Sequence, residues 1–328
     1  MSALASPVAR REYSSMPLRF TLRQLEYFVA VGEAGSIALA SERVKVSSPS
    51  ISAAIAQLEQ EFGIQLFVRK HAQGLAPTQA GRQFLAQARQ LLADADRLNR
   101  LADDLSGTVQ GPLRLGCLLT FAQLVVPQLR RRFETRFPNV RVSQREMDQQ
   151  QIFEGLRSGD LDIALTYDLE IPPDLHFVPL AQLAPYAMLS ENHPLAGLPE
   201  ISVRQLEDEP MVLLDLPMSA DYFLSFFKAA GIRPKITERT RDMAVMRSLV
   251  GNGFGYAIAN IRPLNDLSPD GRKLCFVPLK GPVRPMILGL LMAEGAANVL
   301  TVRAFVDHCR DLVTADSMPG MKMPPSGR

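Results

Sequence analysis

No apolar run in this chain of 328 residues comes near the roughly 20 residues that a membrane-spanning helix needs. A membrane protein is not expected, and the expected location is cytoplasmic. Cysteine is scarce: Cys117, Cys275 and Cys309 are odd in number, far apart and in no C-x-x-C arrangement. That excludes a disulfide framework and fits free thiols in a reducing compartment. The histidines, His71, His176, His193 and His308, have no metal-ligand spacing, so neither a metal nor another cofactor is expected. G-x-S-x-G, H-E-x-x-H and Walker patterns are missing. Gly251-Asn-Gly-Phe-Gly255 lacks the G-x-G-x-x-G spacing and reads as the tight start of a strand. Nothing here points to an enzyme. Charge is nearly balanced, at net +2, and excludes little, because a nucleic-acid binder needs only one basic face. Length and composition suggest globular material in two domains. Residues 1–17 are rich in Ala, Ser, Arg and Pro without an apolar h-region, which reads as a disordered arm and not a secretory leader. Met16 offers a second translation start just before the first domain.

What is present centres on Ser36–Glu59, which reads as two short helices around a tight turn. Ser36 is an N-cap candidate, and Ile37, Ala40 and Val44 share one helical face. Ser47 is the second N-cap candidate, with Pro49 in the first turn, where its missing N–H costs nothing. Ile51, Ile55 and Leu58 form the buried stripe of the second helix, leaving Ser48, Ser52, Ala53 and Gln57 off it. This is a helix-turn-helix pattern, whose second helix would enter a DNA major groove. A plain helical hairpin needs the same caps and periodicity. Leu66–His71 then runs from apolar residues into Arg69, Lys70 and His71, and Gly74 turns the chain back towards Thr78, as in a small β-wing with a basic tip.

The ordered run Leu25-Glu-Tyr-Phe28, Gly35-Ser36, Ala40, Ser47–Ser52, Ile55, Leu58-Glu59, Phe62-Gly63, Leu66-Phe67, Arg69, Pro77-Thr78 and Ala80-Gly81 resembles the N-terminal domain of LysR-type transcriptional regulators. The resemblance implies double-stranded promoter DNA as partner. The DNA-binding residues expected are Ser36, Lys45, Ser47, Ser48, Pro49, Ser52, Ala53, Arg69, Lys70 and His71. Two departures stand out. Ser48 replaces the Gln usual after the N-cap Ser, and Ala53 and Ala54 stand where Arg or Gln is frequent. Direct base readout should then be thin, with the wing and DNA shape carrying more of the discrimination.

Thr78 should cap a helix running to about Asp104. Phe84, Ala88, Leu91, Ala95, Leu98, Ala102 and Leu105 alternate by four and three along it, a coiled-coil seam. An amphipathic helix packed on its own domain is the alternative, but so narrow a stripe prefers a partner helix. In the family this linker helix pairs two subunits antiparallel. The resemblance therefore implies self-association as a dimer, or a tetramer as a dimer of dimers, through Phe84, Ala88, Leu91, Ala95, Leu98 and Leu105.

After Ser106-Gly-Thr-Val-Gln-Gly-Pro112, strands and helices alternate: Leu113–Leu119, Phe121–Phe137, Val140–Arg145, Gln151–Ser158 and Leu161–Thr166, then a second set from about Tyr186 to Ala259 that includes Met211–Leu214 and Phe254–Ala259. Met286–Met292 and Asn298–Thr314 close the chain. Such alternation means βαβ units on a mostly parallel sheet. Leu113-Arg-Leu-Gly116, Gly159-Asp-Leu-Asp-Ile-Ala-Leu165 and Gly251-Asn-Gly-Phe-Gly255 are similar to the effector-binding domain of the same family, which has the type 2 periplasmic-binding-protein fold.

The fold class expected is therefore α/β: a winged helix-turn-helix with a long linker helix, followed by a two-lobed αβ domain. The expected parts are an arm at 1–17, the winged domain at 18–77, the linker helix at 78–105, a hinge at 106–112, an effector-binding domain at 113–314 and a disordered tail at 315–328. Lobe I is about 113–168 with 283–314, and lobe II about 185–262, with crossings near 168–184 and 263–282. Ligands gather at the carboxyl ends of strands in open αβ sheets. That singles out Leu119, Thr120, Phe121, Tyr167, Asp168, Asp215, Pro217 and Ser219 for a small-molecule effector. Thr120 is either a ligand contact or simply a helix cap, and Ser219 can cap the helix after it. Phe121 and Tyr167 would be apolar walls. Asp168 and Asp215 suit a ligand with an amine or several hydroxyls, or are hinge and cap residues. Two other readings stay open: redox sensing through Cys117, which a small buried hydrophobe would also explain, and an enzyme on this fold.

Overall fold

The computed structural model describes residues 19–70, 74–105, 107–313 and 321–322, without the side chains of 70, 97, 99–105 and 321–322. The arm at 1–17, His71, and the tail apart from 321–322 lie outside the described residues. The chain divides inside its longest helix, between Leu92 and Ala93, into two units.

The first unit comprises α1 (Leu22–Ala34), α2 (Ile37–Val44), α3 (Ser48–Phe62), β1 (Phe67–Lys70), β2 (Gly74–Pro77) and the start of α4 (Gln79–Leu105). Thr21 caps α1 in a reciprocal box with Gln24. Ser47 caps α3 by accepting the Ser50 amide. Ser36 occupies the N-cap position of α2, but its hydroxyl makes no cap bond; its backbone carbonyl takes the Ala40 amide at 3.0 Å instead. Ile51, Ile55 and Leu58 are buried with Leu25, Phe28 and Ala40, as their spacing predicts. Ala54 is buried too, while Ala53, expected on the DNA side, is exposed. The two wing strands pair antiparallel from Phe67↔Pro77 to Lys70↔Gly74. The wing is tied to the helices at both ends. The Glu59 carboxylate accepts the Leu66 and Phe67 amides at 2.7 and 3.2 Å, and the Leu75 amide donates to the Gly35 carbonyl at 2.8 Å. A side chain at Gly74 would strike that carbonyl, its Cβ lying only 2.5 Å away.

The second unit begins with the rest of α4, and the chain passes Gly107 and Gly111, both at positive φ, on its way into the first strand. Its elements are β3 (Gly111–Leu118), α5 (Leu119–Leu124), α6 (Val126–Arg136), β4 (Val140–Met147), α7 (Gln149–Arg157), β5 (Ile163–Tyr167), β6 (Leu175–Leu183), β7 (Tyr186–Ser190), β8 (Ile201–Ser202), β9 (Pro210–Leu214), α8 (Ser219–Ala229), β10 (Lys235–Thr240), α9 (Met243–Gly251), β11 (Ala257–Ala259), β12 (Leu274–Lys280), β13 (Met286–Ala293), α10 (Leu300–Leu312) and β14 (Met321–Lys322). One sheet has the order β14-β6-β13-β5-β3-β4. Its β4, β3 and β5 are parallel, and β13 runs antiparallel beside them. The other lobe holds the parallel pair β9–β10 and the sheet β11-β7-β12-β8. The chain changes sheets at 184–185 and again at 281–285, because β6 belongs to the first sheet and β12 to the second. Much of the two longer expected crossings is therefore regular strand.

Three expected elements differ. The helix expected over Phe121–Phe137 breaks at Val125 (φ −122°, ψ −50°) and restarts with Pro127 in the first turn of α6, where it lacks no needed donor. The strand expected from Phe254 begins at Ala257; Gly255, at φ 149°, passes so close to Pro210 that a Cβ would lie 2.2 Å from its carbonyl oxygen. Within the tail, Met321 and Lys322 pair with Leu183 and Gln182 on the edge of β6.

An ion pair between a half-buried arginine and a buried aspartate holds β3. The Asp162 carboxylate accepts from the Arg114 backbone N–H at 2.8 Å and from its guanidinium at 2.7 and 3.2 Å. The same guanidinium reaches Asp96 on α4 at 3.2 Å. Gly159 (φ 73°) lies against the Ala93 methyl of that helix, with no room for a side chain.

His308 on α10 is buried against the Phe133 ring and sits 2.9 Å from the Leu129 carbonyl. Burial lowers its pKa below the ordinary 6.5. The unfolded chain therefore takes up this proton first, and stability is lost as pH falls below about 6.5. In urea titrations between about pH 7 and pH 5, the midpoint should fall less steeply in His308→Gln than in wild type. Equal slopes would contradict this.

Candidate nucleic-acid interface and ligand cleft

In the first unit, Pro49, Ser52 and Ala53 share the exposed face of α3, with Ser48 half-buried at its start. Ser47 is exposed, but its hydroxyl is occupied by the cap and by the Ser50 hydroxyl at 2.8 Å. Lys45 is exposed in the turn between α2 and α3, in the left-handed region at φ 55°, and its N–H caps α2. Ser36 is half-buried at the other end of α2. Neighbouring cations are already paired: Arg43 and Arg89 with Glu33 at 2.6 and 3.3 Å, and Arg19 with Glu61 at 3.3 Å. Arg69 and Lys45 have no ion-pair partner among the described residues. Lys70 ends β1, but its side chain is outside the described residues. The helix face is small and uncharged, and the free cations flank it.

On α4 the expected seam splits. Ala88 is buried and Phe84 half-buried in their own domain, where the Phe84 ring packs on Phe28 and Phe62 at 5.4 and 4.7 Å. Leu91 and Leu98 are 41 % and 69 % exposed. Ala95 is half-buried, and the Leu105 side chain is outside the described residues.

In the second unit a cleft of about 270 Å³ opens where strands end and helices begin. Leu118 and Leu119 bring the end of β3 to it, Leu216, Pro217 and Ser219 the segment after β9, and Arg241 the segment after β10. Glu146–Gln149 and Gln151 contribute the junction of β4 and α7. Leu119, Pro217 and Ser219 are thus brought together as expected. Thr120 does not line the cleft. It lies buried in the first turn of α5, whose N-cap is Leu118, so it is not the cap. Ser219 is likewise the first residue of α8 and not its cap, a position taken by Met218 at φ 64°. Phe121 and Tyr167 pack against each other in the core, rings tilted and centroids 4.7 Å apart, instead of forming walls. Burial raises the Tyr167 phenol well above its usual range. Asp168 is occupied at the crossing between sheets, accepting from Arg284 and from the Ile287 amide, both at 2.7 Å. Asp215 pairs with Arg239 at 3.0 Å.

Glu146, Asp148 and Arg241 line the cleft without having been singled out in the sequence. The strand-end rule that picked out the other segments applies equally to the ends of β4 and β10. Gln149 anchors the junction of β4 and α7. Its buried amide donates to the Tyr167 and Leu169 carbonyls at 3.2 and 3.1 Å and accepts from the Thr166 hydroxyl.

Two family models match the chain: "Bacterial regulatory helix-turn-helix protein, lysR family" over residues 22–82, and "LysR substrate binding domain" over residues 106–314. The HTH-type transcriptional regulator YnfL of Escherichia coli (strain K12) is 31% identical over 246 residues, which are 74% of this chain and 82% of YnfL. The crystal structure of HinK, a LysR family transcriptional regulator from Pseudomonas aeruginosa, is 35% identical with a TM-score of 0.60, covering 90% of this chain and 99% of HinK. Full-length CbnR, solved in complex with its target DNA, is 26% identical with a TM-score of 0.63, covering 89% of this chain and 99% of CbnR.

All three cysteines are free. Cys117 is fully buried on β3, and burial, with Glu146 nearby, pushes its thiol up to about 12. It stays protonated at neutral pH, which disfavours attack on an oxidant. Under native conditions Ellman's reagent should titrate the half-buried Cys275 first, and Cys117 and Cys309 only after denaturation. Rapid loss of the Cys117 thiol in the folded protein would reopen the redox reading.

Proposed function

Since the chain belongs to the LysR family of bacterial helix-turn-helix transcriptional regulators, which bind DNA, we propose that it binds promoter DNA as an oligomer and that a small molecule in the C-terminal cleft controls it. The observation that carries the DNA half is the exposed face of α3, with Pro49, Ser52 and Ala53 clear of every core contact and Arg69 and Lys45 unpaired beside it. An α-helix fits the B-DNA major groove, and phosphate contacts fix its register. Pro49 and Ser52 lie nearest the bases, with Ser48 and Ala53 beside them. Lys45 and Arg69 meet the backbone, and Lys70 and His71, which follow Arg69 in the sequence, are expected to do the same. The amide ends of α2 and α3, at Ser36 and Ser47, suit phosphate. The solved complex of CbnR with its target DNA supports duplex DNA as the partner.

Oligomers form through α4. Leu91 and Leu98, seven residues apart and exposed on the single chain, supply the apolar stripe that a partner helix would cover. Ala95 and, by its spacing in the sequence, Leu105 extend it, while Phe84 and Ala88 brace the helix on its own domain. The effector enters the cleft beside Leu119, Pro217 and Ser219. Thr120, Phe121, Tyr167, Asp168 and Asp215 support that cleft from the core and the crossings. The regulator works with chromosomal DNA in the cytoplasm and is not an enzyme, in keeping with relatives named as transcriptional regulators.

Footprinting upstream of its own reading frame tests this, and a dimeric footprint on a partly palindromic site is expected. Arg69→Ala should weaken binding to all sequences and lower the salt slope by about one ion. An affinity loss at unchanged slope would contradict a phosphate contact. Leu91→Asp with Leu98→Asp should remove the dimer in sedimentation and operator affinity with it. A double variant that sediments and binds like wild type would rule out this stripe.

A further inference from the structure

We propose that the cleft takes a small amphoteric molecule, with a carboxylate and a protonated amine on an apolar body. Arg241 and Ser219 hold the carboxylate, and Glu146 and Asp148 hold the amine. This rests on the cleft reading above and names the class of ligand.

The chemistry of the wall carries the inference. Leu118, Leu119, Met147, Leu216 and Pro217 give the cleft an apolar lining, and its volume of about 270 Å³ admits only a small ligand. Arg241 is the cation on this wall. Nearby Arg239 and Arg284 are neutralised by Asp215 and Asp168 at 3.0 and 2.7 Å, whereas Arg241 has no ion-pair partner among the described residues. Ser219 is 9 % exposed, lines the cleft, and its hydroxyl has no hydrogen-bond partner among the described residues. A guanidinium with an adjacent hydroxyl is a carboxylate receptor.

The opposite sign is also present. Glu146 gives one carboxylate oxygen to the Gln144 amide at 2.7 Å, and Asp148 gives one to the Gln151 backbone N–H at 2.9 Å. The second oxygen of each has no hydrogen-bond partner among the described residues. A simple carboxylate would satisfy Arg241 yet sit beside two like charges, and a simple amine would leave Arg241 uncompensated. A ligand bearing both charges meets both needs. The apolar residues then face its body.

Calorimetry and thermal unfolding of the full chain can test this with L-leucine, L-methionine and L-norleucine, each alongside its matched acid lacking the amine and its matched amine lacking the carboxylate. At least one amino acid should bind and raise the unfolding midpoint, while its two matched fragments do so far less. Arg241→Gln and Glu146→Gln should each weaken that amino acid about tenfold or more, the loss of one charge-assisted contact. A matched acid that binds as tightly as its amino acid, with loss on Ser219→Ala, would overturn the amphoteric class and keep the cleft. Failure of every amino acid to bind would overturn the class, while the operator footprint continues to judge the regulator reading separately. Binding that ignores both Arg241→Gln and Glu146→Gln would overturn the assignment of these residues.

Discussion

The Arg114–Asp162 pair is the contact on which the second unit depends. It clamps the start of β3 to the segment entering β5, with side-chain and backbone bonds in both directions: the Arg114 N–H donates to the carboxylate, and the Asp162 N–H donates to the Arg114 carbonyl at 2.9 Å. Desolvation alone would lower the Arg114 pKa, but the bond and charge of Asp162 outweigh it, and the net shift is upward. A pair of this kind often adds little net stability, yet losing Arg114 would take from the buried Asp162 carboxylate the guanidinium it accepts from. Its value lies in register. With β3 set against β5, Leu118 and Leu119 reach the cleft at the far end of the strand. The guanidinium also reaches Asp96, so the same residue fixes the last part of α4 on this unit.

The cleft shows how pairing decides which charges are available. Four acidic residues lie on or near it, and two are already spent: Asp168 on Arg284 and the Ile287 amide, Asp215 on Arg239. Asp168 then ties the end of β5 to the 281–285 crossing, and Asp215 ties the end of β9 to β10. Gln149 does comparable work without charge, joining the start of α7 to the end of β5 through three bonds. Such a fully satisfied buried amide holds backbone at a set distance. The polar groups left facing the opening are those the frame does not consume.

In the first unit the constraint is the attachment of the wing. Glu59 takes two amides of the chain entering β1, and the Gly35 carbonyl takes one from β2. A carboxylate in that role orients Arg69 relative to α3 without any direct contact between them. The outward face of the N-terminal half of α3 is made of proline, serine and alanine, so it brings shape and small contacts in place of long hydrogen-bonding arms.

Local pattern was enough to determine the elements. Ser47 and Thr78 cap where the sequence places them, the stripe of Ile51, Ile55 and Leu58 is buried, and the alternation after Pro112 does produce parallel strands at the heart of a sheet. These features follow from periodicity and backbone chemistry within a few residues. Tertiary structure decided what the side chains at those positions are used for. Thr120 and Tyr167 sit at strand ends as expected, yet both turn into the core, because which face of a helix start or strand end is covered depends on what packs over it. Phe84 and Ala88 share a heptad with Leu91 and Leu98 but are claimed by aromatic rings of their own domain. Asp168 and Asp215 look like ligand contacts until Arg284 and Arg239, distant or offset in sequence, arrive beside them. Arg241 shows the reverse: only its place just after a strand marks it, and the fold brings it to the cleft while Asp215 is paired with Arg239.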